Sequence, residues 1–309
     1  MPGGTGIGFL GGFRSGTTLL VNMLGLHPLI TAWYETKFLP EALRWMYVIQ
    51  NPGEHDRELL LCSPPKPGGF GLPAVTERMR LQMVLDEERL RGRSPSGKRA
   101  YERYPLGADR IHYPLAVAIQ ALGTWQGALK DTPDLPMLAA ATGQLVQTLG
   151  EQQFAGEPGR MLINKTPELP RFGKELRACL GACKILLLIR DGREVVRSAT
   201  ALGWAEPSRL AYLWRKLILE SREAGAGAPD DYMEIRYEDL VTDPIRTLDK
   251  VCRFLGISPW GEAMVRDYQR LAGISISPPA LAVGDGGRGL DEITLGVAGD
   301  LLADLGYLT

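Results

Sequence analysis

Residues Lys184 to Ile189 read KILLLI, an apolar run with no alternation. A strand wetted on one face alternates apolar and polar side chains. One that is apolar at nearly every position must be covered on both faces, which means a parallel sheet packed between helices. Three shorter runs, Ile7 to Phe13, Met161 to Asn164 and Tyr232 to Ile235, are further strand candidates. Helices are expected between them. Gly16 to Leu26 places Leu19, Leu20, Met23, Leu24 and Leu26 at helical spacing, and His27-Pro28 ends it. Glu194 to Leu202 is a second helix. Asp243-Pro244 opens a third, running to Gly256, with an acid at the N-cap and proline at the first position. The alternation predicts an α/β fold, a parallel sheet flanked by helices.

Residues 41 to about 160 interrupt that pattern. Pro/Gly punctuation at 64–69 precedes a charged helical run from Glu77 to Arg93. A loop at Gly92 to Gly97 follows, then apolar helical stretches from Leu115 to Leu129 and Leu135 to Leu149. This reads as a mostly helical insertion covering the sheet, within one domain spanning residues 1–309. The net charge of −1 gives no basic field for nucleic acid or an anionic membrane, although a few arginines can still build a local anion pocket. Cys62, Cys179, Cys183 and Cys252 are too scattered for a disulfide framework, and with only three histidines no metal-binding spacing is completed. Reduced, partly buried thiols are expected. The N-terminal stretch lacks a basic, apolar leader and no apolar run reaches about 18 residues, so a cytoplasmic protein without a membrane span is the expectation.

The loop Gly11-Gly12-Phe13-Arg14-Ser15-Gly16-Thr17-Thr18 joins the first strand to the first helix. Glycines allow a tight turn and close approach of an anion, and the helix points free N–H groups and its positive dipole end at that anion. A Walker loop needs lysine after this glycine, to reach the terminal phosphates, and a hydroxyl for Mg²⁺. Here Gly16 is followed by Thr17, and the cation comes earlier, at Arg14. An anion bound without a metal fits better than a magnesium triphosphate.

Arg190-Asp191-Gly192-Arg193 follows the KILLLI run, at the strand edge where open α/β sheets bind ligands. Arg190 can fork onto a phosphate, or simply pair with Asp191 or Glu194. Ser198, in the next helix, can add a hydroxyl or be an ordinary helix residue. Tyr237, in Arg236-Tyr237-Glu238-Asp239-Leu240 after another strand, can pack on a base or be a half-buried aromatic.

FRSGTTLL, LLLIRDGREVVRS and RYEDLVTDP…FLGI, in this order, resemble the nucleotide-dependent sulfotransferase family. The likeness covers residues 7–40 and 161–258. It implies a P-loop-like α/β fold with 3′-phosphoadenosine 5′-phosphosulfate (PAPS) as donor and its 3′,5′-bisphosphate (PAP) as product. It places the 5′-phosphosulfate loop at residues 12–20, including Ser15, Gly16, Thr17 and Thr18, and the 3′-phosphate motif at 190–198. The tyrosylprotein and carbohydrate branches are more similar still. They carry an arginine in the first loop, a glutamate after the next helix, and an Asn-Lys pair before the 3′-phosphate strand. Those positions are matched by Arg14, Glu35, and Asn164-Lys165. The resemblance therefore implies Glu35 as base for the acceptor hydroxyl, and Arg14 with Lys165 as donors to the transferring group. Phe13 replaces a common proline. For the basic C-terminal loop that closes the nucleotide site in many relatives, the tail offers Gly284 to Gly289 with Arg288 as candidate.

Sulfuryl transfer is an in-line displacement: a carboxylate takes the acceptor proton, and cations stabilise charge growing on the leaving oxygen. His112 is the competing base; His27 reads as a helix-end residue. Trp33, Tyr34, Trp45 and Tyr47 near Glu35 suit either an apolar acceptor pocket or core packing. The expected acceptor is a hydroxyl on a small molecule, sugar, lipid or carrier-bound intermediate. Two other classes stay open: a phosphate-loop kinase or nucleotide hydrolase, and a non-catalytic nucleotide-binding relative.

Overall fold

A computed structural model of the chain describes residues 6–51, 71–91, 113–154, 160–273, 276 and 286–308. Five strands, β1 (Gly6–Gly11), β2 (Ile30–Tyr34), β3 (Met161–Lys165), β4 (Lys184–Ile189) and β5 (Tyr232–Arg236), form one sheet in the order β2-β3-β1-β4-β5. All four pairings are parallel. β4 coincides with the KILLLI run, and its side chains alternate between two cores. Leu186 and Leu188 join one with Leu10 and Leu20, while Leu187 and Ile189 join another with Phe13, Val195 and Trp214. Burial on both faces is what makes the run continuously apolar.

Helix α1 (Thr17–Leu24) connects β1 to β2 on the first face. Between β2 and β3 lie α2 (Phe38–Gln50), α3 (Leu72–Arg91), α4 (Leu115–Gly127) and α5 (Leu135–Phe154), and no strand among the described residues, as expected of a helical insertion. Their apolar sides close over Phe9, Leu162 and Ile185. A 3-10 turn (Leu169–Phe172) and α6 (Gly173–Leu180) lead to β4, and α7 (Gly192–Thr200) with α8 (Pro207–Ala226) leads on to β5. The chain finishes with α9 (Tyr237–Thr242), α10 (Pro244–Phe254), α11 (Gly261–Ala272) and α12 (Gly286–Asp304), the last kinked at Ala298. Asp243 caps α10 as its sequence predicts, accepting from the amide of Arg246.

Two strands set the position of the site. The connection leaving β1 runs toward β2 at one end of the sheet; the connection leaving β4, its neighbour, runs toward β5 at the other. Adjacent strands whose connections diverge leave a crevice beyond their carboxyl ends, where α/β sheets bind ligands. The register lines up that edge: Lys165 pairs with Leu10 and with Tyr34, Gly11 with Leu187, and Ile189 with Arg236. Among the described residues no helix is long and apolar enough to cross a membrane.

Candidate active site

The loop after β1 is fixed by contacts a side chain could not share. Gly12, at φ +120°, packs so closely on the Leu188 carbonyl that a Cβ would collide with it. Gly16, at φ +91°, caps α1 with its Cα against the Tyr237 ring. Only glycine tolerates both the backbone and the contact. Phe13 is buried against α7 and α8, anchoring the loop apolarly. Among the described residues no side chain caps α1, which leaves its first amides available to an anion with the helix dipole behind them. That is an anion cradle built from backbone.

Arg14 and Glu35 are the two non-glycine residues with positive φ among those described, at +53° and +50°. L-residues seldom hold this conformation, and it costs of order 1–3 kcal/mol unless the surroundings impose it. The Arg14 guanidinium bonds to Ser198 Oγ through Nε at 3.0 Å and Nη2 at 2.8 Å, and lies 5.4 Å from the Trp204 ring. Trp204 is half exposed, presented by the turn that ends α7, where its amide bonds to the Ala199 carbonyl.

At the other end of the crevice, Lys165 Nζ meets Glu35 Oε1 at 2.8 Å. Lys165 is only 2% exposed, whereas Glu35 is 22% exposed, so the carboxylate is the reachable partner. The ammonium also sits 3.7 Å from the centre of the Tyr34 ring, whose hydroxyl bonds to Thr18 Oγ1 at 2.8 Å. The first turn of α1 is thereby joined to the ion pair. Behind it lies a buried polar knot. Asn164 Nδ2 donates to Thr36 Oγ1 (2.7 Å), Thr166 Oγ1 to Asn164 Oδ1 (3.0 Å), and the Thr36 amide to Thr166 Oγ1 (2.9 Å).

Arg190 lies 4.7 Å from the Tyr237 ring centre, bonds to the Arg14 carbonyl at 3.4 Å, and pairs with Glu194 at 3.2 Å. Of its two alternative ion-pair partners the structure has Glu194; Asp191 instead caps α7 and pairs with Arg193. Ser198 is bonded to Arg14 rather than Arg190. Arg288 is exposed in the first turn of α12, and no described contact joins it to the loop. One turn on, Asp291 bonds to Arg197 of α7, which itself pairs with Glu194. His112 lies outside the described residues, as do Cys62 and the loop predicted at 92–97. His27 is structural: Nδ1 accepts from the Leu29 amide and Nε2 faces the Ser258 carbonyl. Trp33 and Trp45 belong to the core, Trp33 against Tyr113 and Trp45 against Trp125. Burial raises the thiols of Cys179 and Cys183 to about 12 and that of Cys252 to about 11, which keeps them protonated and unreactive.

Cations, the start of α1 and a partly exposed carboxylate thus converge on one strand edge. A model of the sulfotransferase family matches residues 58–262, more than half of the chain. The chain belongs to the sulfotransferase family. Among curated relatives, this family member is 30% identical over 132 residues to protein-tyrosine sulfotransferase 1 of Danio rerio, covering 40% of the chain and 37% of that protein. It is 30% identical over 121 residues to protein-tyrosine sulfotransferase of Drosophila melanogaster, covering 36% and 23%. The matched stretches are thus well under half of those relatives. In fold, this sulfotransferase-family chain is similar to the sulfotransferase domain of the Synechococcus PCC 7002 olefin synthase (TM-score 0.53, 22% identity, 97% of this chain and 96% of that one). It is also similar to a sulfotransferase from Mycobacterium avium (TM-score 0.52, 13% identity, 97% and 76%).

Trp204 and Asp86, a buried carboxylate on α3 that bonds to the Lys37 amide at 2.9 Å, were not legible as site residues. Asp86 is 49 positions from its partner, and no local pattern marks such a contact.

Proposed function

We propose that this chain, as one domain with an acceptor-side helical insertion, transfers a sulfuryl group from PAPS to a hydroxyl. The observation that carries the reading is the Glu35–Lys165 pair at 2.8 Å, set on the same strand edge as Arg14 and the uncapped start of α1. The backbone amides and hydroxyls of Ser15 to Thr18 are suited to the 5′-phosphate. Arg190, with the Ser198 hydroxyl, is suited to the 3′-phosphate, and Tyr237 to the base. Arg288 lies one turn from Asp291, whose bond to Arg197 places that turn of α12 beside α7, so Arg288 remains a candidate to close over the nucleotide. The cradle suits a doubly anionic ligand, since cations line it and the start of α1 offers its free amides.

In the reaction, the acceptor oxygen bonds to sulfur as the bond to the nucleotide phosphate oxygen breaks. Glu35 takes the hydroxyl proton and PAP departs. Lys165 and Arg14 counter the charge that grows on the leaving oxygen. For Glu35 to act, an arriving hydroxyl must share or displace the hydrogen bond from Lys165. The curated relatives are named for tyrosine, a phenolic hydroxyl; for this chain the acceptor is a hydroxyl on a small molecule, sugar, lipid or carrier-bound group. A kinase reading is disfavoured because Thr17 stands where a Walker loop needs lysine.

Calorimetric titration with PAP, with ADP and ATP·Mg²⁺ as controls, tests the reading. Magnesium-independent binding of PAP that depends on its 3′-phosphate and is lost in Arg190→Ala is expected. A preference for ATP·Mg²⁺ would return the loop to the kinase class, and PAP binding without transfer to any acceptor would leave a non-catalytic relative.

A further inference from the structure

Three consecutive amides hold the turn that carries Glu35. The Glu35 N–H donates to the Lys165 carbonyl at 2.6 Å, the Thr36 N–H to Thr166 Oγ1 at 2.9 Å, and the Lys37 N–H to Asp86 Oδ2 at 2.9 Å. The first two partners lie at the end of β3, inside the sheet framework. The third is different, because it comes from α3 in the helical insertion. Asp86 is 1% exposed, and the Tyr113 hydroxyl, also from the insertion, stands 3.5 Å from the same carboxylate oxygen. Tyr113 in turn packs edge-on against Trp33 and Phe38, which flank the turn in sequence.

We infer that Asp86 is a positioning residue for the Glu35 turn, through which the insertion sets the placement of the carboxylate. The physical case begins with the φ of +50° at Glu35. A left-handed glutamate relaxes to a right-handed or extended backbone unless neighbours hold it. The bond from Lys37 to the Glu35 carbonyl, 3.1 Å, closes only a three-residue turn and is a weak restraint. The Asp86 oxygen, accepting the same N–H at 2.9 Å from outside the turn, adds a restraint that the turn cannot supply itself. Moving α3, as an acceptor seated on the insertion would, therefore moves the base. Catalytic placement is sensitive at this scale, since a displacement of about 1 Å can cost roughly 100-fold in rate.

This inference rests on Glu35 as base for its catalytic consequence, but its structural half is tested separately. Amide hydrogen exchange of the segment from Tyr34 to Phe38 is compared in wild type, Asp86→Ala and Asp86→Asn, alongside PAP titration and PAPS turnover on the best substrate from a panel of phenols, sugars and alcohols. Asp86→Ala is expected to speed exchange in that segment by about tenfold or more and to lower kcat by about 10- to 100-fold, with PAP affinity held within about threefold. Asp86→Asn, which keeps an acceptor oxygen, is expected to restore most of both. Unchanged exchange at residues 34–38 in Asp86→Ala, or acceleration equal to that in β1 and β4, overturns the inference. Glu35→Gln in the same assay separates the two ideas. Unchanged turnover there removes the base assignment while leaving the exchange result to decide the role of Asp86.

Discussion

Ser198 Oγ accepts two hydrogen bonds from one Arg14 guanidinium, at 3.0 and 2.8 Å, across 184 residues of chain. Both lone pairs of the hydroxyl are occupied, so its single proton is all it has left to offer a ligand. Arg14 is held on the α7 side of the crevice, and an anion entering there meets a guanidinium and a hydroxyl already joined.

That arrangement predicts unequal losses. Ser198→Ala removes one neutral donor and is expected to weaken PAP binding by about 5- to 10-fold, the scale of one hydrogen bond. Arg14→Ala removes a charged fork and should cost about 10- to 100-fold. Ser198→Asp sets a carboxylate against Arg14 in competition with the phosphate and should abolish measurable binding in a titration. Wild-type affinity in Ser198→Asp would place the phosphates elsewhere.

Glu35→Gln should keep the fold, because the amide oxygen can still accept from Lys165, yet the side chain can no longer take a proton. Turnover of PAPS is expected to fall by about 100- to 10,000-fold, the usual worth of a general base, with PAP affinity nearly unchanged. His112→Gln is expected to retain turnover. The reverse pattern, measured as kcat for both variants, would transfer the base role to His112.

Gly16→Ala places a methyl group into the Tyr237 ring at a φ of +91°. Tyr237 must move, and Arg190, 4.7 Å from the ring centre, loses its support. A stability loss of about 1–3 kcal/mol is expected together with loss of PAP binding. Gly273 has a φ of +66°, and a Cβ there would meet nothing within 4 Å among the described residues, so Gly273→Ala should show only the backbone cost, about 1 kcal/mol, and bind PAP normally. Thermal unfolding and titration of the pair separate strain from site damage.

Asn164→Ala removes both the donor to Thr36 and the acceptor for Thr166, leaving two buried hydroxyls short of partners. The two hydroxyls stay 3.4 Å apart and Thr166 Oγ1 still accepts from the Thr36 amide, so each loses one partner, at about 1 kcal/mol apiece. Urea unfolding should show a loss of at least about 2 kcal/mol, larger than for the half-buried Asn51, whose side chain donates to the Tyr47 carbonyl at the end of α2. An effect within about 0.5 kcal/mol of wild type would mean that water replaces the knot.

Some of this was readable in advance and some was not, for identifiable reasons. β4 is legible because burial on both faces writes itself into every position from Ile185 to Ile189. The loop at Gly12 and Gly16 is legible because positive φ admits few residues. Helix α7 starts at Gly192, two residues before the expected Glu194, since Asp191 caps it through the Arg193 amide. β2 went unread because ITAWY is short, follows a proline turn and sits at a sheet edge, where neither alternation nor a long apolar run develops. Arg14, Ser198, Glu35 and Lys165 were legible as site residues only through ordered motifs. Their actual pairing, Arg14 with Ser198 and Glu35 with Lys165, depends on strand order and register, which no local pattern encodes. Arg288 shows the limit of composition, because a basic residue in a glycine-rich stretch says nothing about which way a helix turn faces.

His27, three residues beyond the end of α1, makes stability depend on pH. Burial lowers its pKa from 6.5, outweighing the opposing pull of the Ser258 carbonyl. The bonding requires the neutral ring, since Nδ1 must accept from the Leu29 amide while Nε2 donates to Ser258. The unfolded chain binds a proton at about pH 6.5, and the folded one resists it until lower pH. Stability therefore falls as pH drops below 6.5, the window in which the unfolded state holds more protons. His27→Gln lacks that titration. At pH 7.5 the variant should be less stable than wild type by about 1–2 kcal/mol for its weakened backbone bonds. At pH 5.5 the gap should narrow, because wild type has lost the contribution of the neutral ring. Urea midpoints for both proteins at the two pH values measure this directly, and a gap that stays constant would show that the ring titrates normally and is not held neutral by the fold.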